Sequence, residues 1–212
     1  MRKLEFTLLC LSSLFVIVDP LAAIPALLSM TSNSTPSQRE RTVRVATVVT
    51  AAVLLFFALF GRIAFRILGI SLPAFQIAGG IVLFSIAFDM LRAHRSAIQE
   101  TLEERIAGEA EEEAGIAPLG VPMLAGPGAI STVILLEHKA ADFVEKAIVY
   151  VSILTVAGFS YLVLGIAARK GSPLLGPLGF KLLTRLMGLL LAAVAVQFIL
   201  DGVSSYGQGT LP

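Results

Sequence analysis

The sequence predicts an all-α polytopic membrane protein: six transmembrane segments in two inverted-topology repeats of three spans, with the first and fourth helices broken. Three observations carry this. The 212 residues are 56% hydrophobic and 15% charged, with a mean hydropathy of +0.87, far from the soluble average of roughly 45–50% apolar and 25% charged. Six stretches approach the ~20 apolar residues needed to cross the hydrocarbon, at 4–30, 43–68, 72–91, 118–136, 147–168 and 178–203. Helix breakers also stand inside the first and fourth stretches, as Asp19-Pro20 and Gly126-Pro127-Gly128.

The first stretch opens "MRKLEFTLLCLSSLFVIV", which has the charged start and apolar run of a signal peptide. A similar apolar segment recurs at 118–136, where no signal peptide can stand, so the first stretch reads as a retained span. Cys10 lies within it, has no second cysteine to pair with, and reads as a small core residue. "VDPLAAIP" follows. Asp accepts hydrogen bonds from free backbone N–H groups at a helix start, and proline suits the next position because it has no N–H. The first span therefore reads as two half-helices meeting near the middle of the bilayer, with Pro25 in the opening turns of the second. A simple proline kink with Asp19 near an interface is the plainer alternative.

Between the third and fourth stretches lies the one long polar segment, residues 92–117, with seven Glu and three Arg. It divides the chain into a first three-span repeat (1–91), a charged linker and a second three-span repeat (118–212). The linker reads as a solvated, partly helical connector. Glu111, Glu112 and Glu113 are consecutive and cannot all face one metal ion from a helix. His94 and His138 show no partner at ligand spacing, and no metal site is assigned.

The fourth stretch contains "PLGVPMLAGPGAIST". Gly126 takes the place that Asp19 holds in the first half, capping without charge. The amides of Gly128, Ala129 and Ile130 are then expected at the positive end of a half-helix, a place suited to an anion such as a carboxylate. Ser131 and Thr132 add hydroxyls one turn on. Small residues here also suit close helix packing.

The repeat itself is legible when "VIVDPLAAIPAL" is set over "MLAGPGAISTVI" and "QIAGGIVLFSIAFDML" over "RLMGLLLAAVAVQFIL". Proline and later glycine are 59 residues apart in one half (Pro20 to Gly79) and 61 in the other (Pro127 to Gly188). Three crossings per half would insert the second copy upside down, as in many secondary transporters. Asp19 and the Gly-Pro-Gly amides would then face each other from opposite leaflets. A small zwitterion, its ammonium near Asp19 and its carboxylate on the amides, is the ligand this arrangement suits.

Gln76 and Gln197 are candidate polar supports within spans, and Gln197 is deep enough to hydrogen-bond between helices. Asp89 and Asp201 lie near span ends and read as interfacial. Arg185 stands where the repeat puts Gln76 and reads as a packing or snorkelling residue. Lys and Arg near span ends sort into a larger group (Arg39, Arg41, Arg44, Arg92, Arg95, Arg105, Arg169, Lys170, Lys181, Arg185) and a smaller one (Arg2, Lys3, Arg62, Arg66, Lys139, Lys146). The positive-inside bias puts both termini, with the smaller group, outside. A net charge of +1 offers no basic field for nucleic acid. ATP-driven transport and common hydrolase chemistry lack their motifs. An intramembrane aspartyl enzyme using two of the aspartates is the one catalytic alternative.

These motifs resemble the MarC family of bacterial integral membrane proteins, which includes SnatA-type transporters of small neutral amino acids. "PLGVPMLAGPGAIS" is similar to the family's most recognisable signature, and "FQIAGGIVLFSIAFDML" and "RLMGLLLAAVAVQFILDG" look like its third and sixth spans. The family's first motif usually carries Gly and Asn where this chain has Ala22 and Ala23, and an Arg is common where Gln76 stands. The resemblance implies a multi-pass protein of the bacterial inner membrane that transports glycine, alanine or serine by alternating access, driven by a proton or sodium ion, with no cofactor. It is also compatible with a homo-oligomer, with export of other small solutes or drugs, and with a structural or regulatory role without transport.

Overall fold

The computed structural model describes residues 2–31, 34–92, 115–170 and 177–207. Among these every regular element is helical: α1 (Arg2–Val18), α2 (Ala23–Met30), α3 (Pro36–Leu68), α4 (Leu72–Arg92), α5 (Gly115–Leu124), α6 (Pro127–Lys139), α7 (Phe143–Lys170) and α8 (Pro177–Gly207). Most of the linker, 93–114, with His94 and the Glu111–Glu113 run, lies outside the described residues.

Among the described residues three helices are long and apolar enough to cross a membrane: α3, α7 and the Gly188–Gly207 part of α8. The pair α5 and α6, bent by 57° where they meet, makes a fourth if counted as one span. Residues Leu72–Phe88 of α4 form a shorter apolar helix.

α3 shows why these helices belong in lipid. Thr35 and Gln38 begin it reciprocally: the Gln38 N–H donates to Thr35 Oγ1 at 3.4 Å and the Thr35 N–H to Gln38 Oε1 at 2.7 Å, a capping box. Gly69 ends it at φ 64°, a left-handed conformation that glycine adopts without strain. From Ala46 onward the buried face is made of small residues and threonines, Ala46, Thr47, Thr50, Ala58 and Gly61, with Leu54. The large ones, Val48, Phe56, Leu59, Phe60, Ile63 and Ile67, are at least half exposed. A soluble helix would place these residues the other way round. Exposed bulk over a small-residue interface is the pattern of a helix surrounded by lipid and packed on its neighbours by close backbone approach. The buried Thr50 and Ser160 hydroxyls donate to the carbonyls of Ala46 and Val156 at 2.7 and 2.8 Å, and among the described residues no buried side-chain polar atom lacks a partner.

Both predicted breaks are present, but they differ. α1 ends at Val18 and α2 begins at Ala23. The pieces have 17 and 8 residues; at 1.5 Å per residue α1 alone rises about 25 Å, so the interruption divides this segment unequally rather than near its middle. In the second half, Ala117 (φ −136°, ψ 133°) and Val121 (φ −131°, ψ 125°) are extended within α5. Each directly precedes a proline, whose ring disfavours helical geometry at the residue before it. The turn then widens, the Ala125 N–H donating to Gly120 O at 2.8 Å, before Gly126 opens α6.

The packing runs across the two halves. α3 lies against α7, and α4 lies along α8 in the most extensive helix contact among the described residues. α1 packs on α7 as α5 packs on α3, α2 on α8 as α6 on α4, and α1 on α6 as α2 on α5. The core draws Leu14 and Leu27 from the first broken segment, Leu54 from α3, Leu119 and Leu124 from α5, and Ile153 and Leu164 from α7, all nearly inaccessible.

Ion pairs and hydrogen bonds fix which ends lie together. Lys3 pairs with Asp142 at 3.6 Å, Lys146 with Glu137 at 2.6 Å, and Arg62 hydrogen-bonds His138 at 2.8 Å. Toward the other end of α3, where Glu40 lies roughly 33 Å from Arg62 along the helix, Arg169 pairs with Glu40 at 2.9 Å. The two charge groups read from the sequence thus fall, for these residues, at opposite ends.

Candidate functional site

The candidate site is the meeting place of the two breaks. On the first side, Asp19 has φ 40°, a left-handed conformation that short polar residues tolerate better than others because they can hydrogen-bond locally. Its Oδ1 accepts from the Ala22 N–H at 3.2 Å, and the Ile24 N–H donates to Leu21 O at 3.2 Å. Asp19 therefore caps a three-residue turn, and α2 starts at Ala23 rather than at Pro20. Asp19 is exposed while Pro20 and Pro25 are buried; Pro25 is the third residue of α2, where its missing N–H is tolerated.

On the second side, Gly126 is extended (φ −74°, ψ 171°) and Pro127 stands at the first helical position. The Ile130 N–H donates to Gly126 O at 3.0 Å. Ile130 is thus not a free donor as the sequence suggested: only the groups before the first completed helical bond lack an intrahelical partner. Because Pro127 has none, the open donors of α6 are the amides of Gly128 and Ala129. Ser131 Oγ donates to Pro127 O at 2.7 Å, so its proton is engaged within the helix. Gly126 through Ser131 are all buried and Thr132 is half-buried.

The two sides touch. A Cβ placed on Gly128 would lie 3.4 Å from Ile17 Cγ2, two residues before Asp19, and 2.6 Å from Phe198 Cζ. The missing side chain of Gly128 is therefore filled by the tip of the Phe198 ring, from α8. Pro127 is seated still more closely, since a Cβ on Gly79 would fall 1.7 Å from its Cγ. A Cβ on Gly80 would meet Ala195 O at 2.7 Å and one on Gly202 would meet Pro73 O at 2.8 Å, so glycines hold α4, α6 and α8 together around the break. The close packing read as the plainer role of these small residues is thus present, and the anion-accepting end of α6 is covered in this conformation.

The polar supports are less central. Gln76 is half-buried on α4. Gln197 is exposed, and its Nε2 donates to Asp201 Oδ1 at 2.6 Å, one turn along α8, so this bond lies within one helix instead of between two. Arg185 is exposed, and the Asp89 side chain lies outside the described residues. Among the described residues no three His, Cys, Asp or Glu side chains gather as a metal site would require.

Sequence reasoning missed Phe198, whose approach to Gly128 spans 70 residues and leaves no local signal. It also missed that His138 has a partner, Arg62, 76 positions away.

A family model described as MarC family integral membrane protein matches residues 4–206, a span that includes both breaks and every helix around them. The chain belongs to the MarC family. Its similarity to other MarC-type chains runs nearly end to end. It is 38% identical over 200 residues to a UPF0056 membrane protein of Methanocaldococcus jannaschii, covering 94% of this chain and 97% of the relative. It is 35% identical to the UPF0056 membrane protein YvbG of Bacillus subtilis over 90% of both chains, and 31% identical to the UPF0056 membrane protein YhcE of Escherichia coli over 93% of this chain and 92% of that one. No solved structure matches this MarC chain.

Proposed function

We propose that this protein is a secondary transporter of small neutral amino acids of the glycine, alanine and serine class, working by alternating access in the bacterial inner membrane. The observation that carries the reading is the contact of two interrupted helices, Ile17 of the first against Gly128 of the second, with a carboxylate at Asp19 beside one break and the Gly128 and Ala129 amides at the other. A zwitterion has opposite charges a few ångströms apart, and it suits a place with an acceptor on one side and the positive end of a helix on the other. Hydrogen bonds to a charged group contribute ~1.5–3 kcal/mol each, so two amides and one carboxylate suffice for millimolar to micromolar binding.

The exchange pattern of the packing supports six spans in two inverted halves, with α1/α2 and α5/α6 as corresponding broken spans, α3 and α7, and α4 and α8. In this reading residues 1–91 and 118–212 are the two repeats, both termini face outward, and Phe198 over Gly128 marks an occluded conformation. The protein acts as a carrier and not as an enzyme, and a second copy is not needed to complete the site.

A second reading, that the protein serves a structural or regulatory role without transport, draws on the same Phe198 contact if it never opens. Flux of labelled glycine and alanine into proteoliposomes, with proton and sodium gradients imposed separately, tests the two. Saturable uptake or release under one gradient is expected; no flux under either gradient from folded protein would overturn the transport reading.

A further inference from the structure

At the end of the molecule where α3 stops, a cleft of about 350 Å³ opens between α3 and α6. Its floor is apolar and buried, Ala58 and Ile134; its flank is Leu59 and Ile63, which are 53% and 59% exposed. Its mouth carries Arg62, Arg66 and Glu137. The charges do not cancel. Glu137 Oε1 accepts from Lys146 Nζ at 2.6 Å, which matches its charge outside the arginine pair. Arg62 Nη1 lies 2.8 Å from His138 Nδ1. A guanidinium only donates, so Nδ1 is the acceptor, and this bond orients Arg62 without neutralising it. The Arg66 carbonyl accepts from the Gly69 N–H at 3.3 Å, but its guanidinium makes no hydrogen bond or ion pair among the described residues.

Two like charges four residues apart on one helix face repel each other, and their forks present several donors suited to the oxygens of a phosphate. An open anion site beside a lipid-facing apolar wall has the two-part chemistry of a phospholipid. We propose that this cleft binds a phosphate oxyanion through Arg62 and Arg66. The continuity of the mouth with Leu59 and Ile63 fits an anionic lipid, its phosphate on the arginines and an acyl chain along the flank. The site is separate from the helix breaks and does not depend on the transport reading.

The full-length protein in detergent, titrated with phosphatidylglycerol or phosphatidylcholine of matched chains and read by native mass spectrometry, tests this. Retention of phosphatidylglycerol at roughly tenfold lower concentration is expected, and Arg62→Ala/Arg66→Ala should abolish the preference. Inorganic phosphate is the second arm: if it raises the melting temperature of the wild type without anionic lipid, and not that of the variant, the oxyanion site stands and its source is soluble. Should the double variant fail to fold, Arg66→Gln, which breaks no described pairing, is expected to lower the preference about threefold. Equal retention of both lipids with no phosphate effect overturns the proposal. So does a folded double variant, or Arg66→Gln, that keeps the full preference.

Discussion

Asp19 combines a strained backbone with a carboxylate that is only partly occupied. The φ of 40° is tolerated because its Oδ1 takes the Ala22 amide, and the same exposed group is the one proposed to meet a substrate ammonium. The two roles separate by substitution. Asp19→Asn keeps the local acceptor and the tolerance of left-handed geometry, so its melting temperature should stay near wild type, whereas Asp19→Ala should lose about 1 kcal/mol. Both should raise the KM for glycine about tenfold if the charge binds the ammonium; an unchanged KM in Asp19→Asn would sink that assignment. At this scale much was legible: an Asp-Pro pair inside an apolar run announces an interruption. The positive φ was not, nor was the three-residue turn before α2, since both depend on how the flanking helices hold the chain ends.

Elements show the same mixture of local and distant causes. The extended residues of α5 follow from Ala117-Pro118 and Val121-Pro122 and were readable in principle from the prolines alone. So was the start of α7, where Asp142 and Glu145 stand at the D-x-x-E spacing of a capping box. Asp142 Oδ1 accepts from the Glu145 N–H at 2.8 Å, and Glu145 Oε2 accepts from the Ala141 N–H at 2.7 Å. The Glu145 amide, with Lys3 assisting, holds the Asp142 carboxyl below its ordinary value of 3.8. A lowered folded value means that the carboxylate's contribution is complete above pH 3.8 and falls away as the pH drops through the folded value. Asp142→Asn should accordingly flatten the acid limb of a plot of melting temperature against pH below that point, leaving the shape above pH 5 unaltered. An acid limb of the same steepness in the variant would assign the loss to other carboxylates. Glu145 is also buried, at 3% exposure, which a charged residue in the first turn of α7 did not announce.

For the whole molecule, the decisive contacts join the halves. Gly79 of the first half receives Pro127 of the second so closely that even a methyl group would collide with a rigid ring. Overpacking of this kind costs ~1–3 kcal/mol, and Gly79→Ala should lower the melting temperature in detergent and reduce flux together; a variant as stable as wild type would show that α4 and α6 can part without loss. The repeat in the sequence suggested that such correspondences exist, because Pro20 and Pro127, and Gly79 and Gly188, recur in the same order. It could not say that the glycine of one half seats the proline of the other, since repetition along a chain carries no information about which copy touches which. With α3 against α7 and α4 along α8, the residues before and after the linker complete a shared core, so cutting the chain within the linker should leave the two pieces held together through detergent extraction.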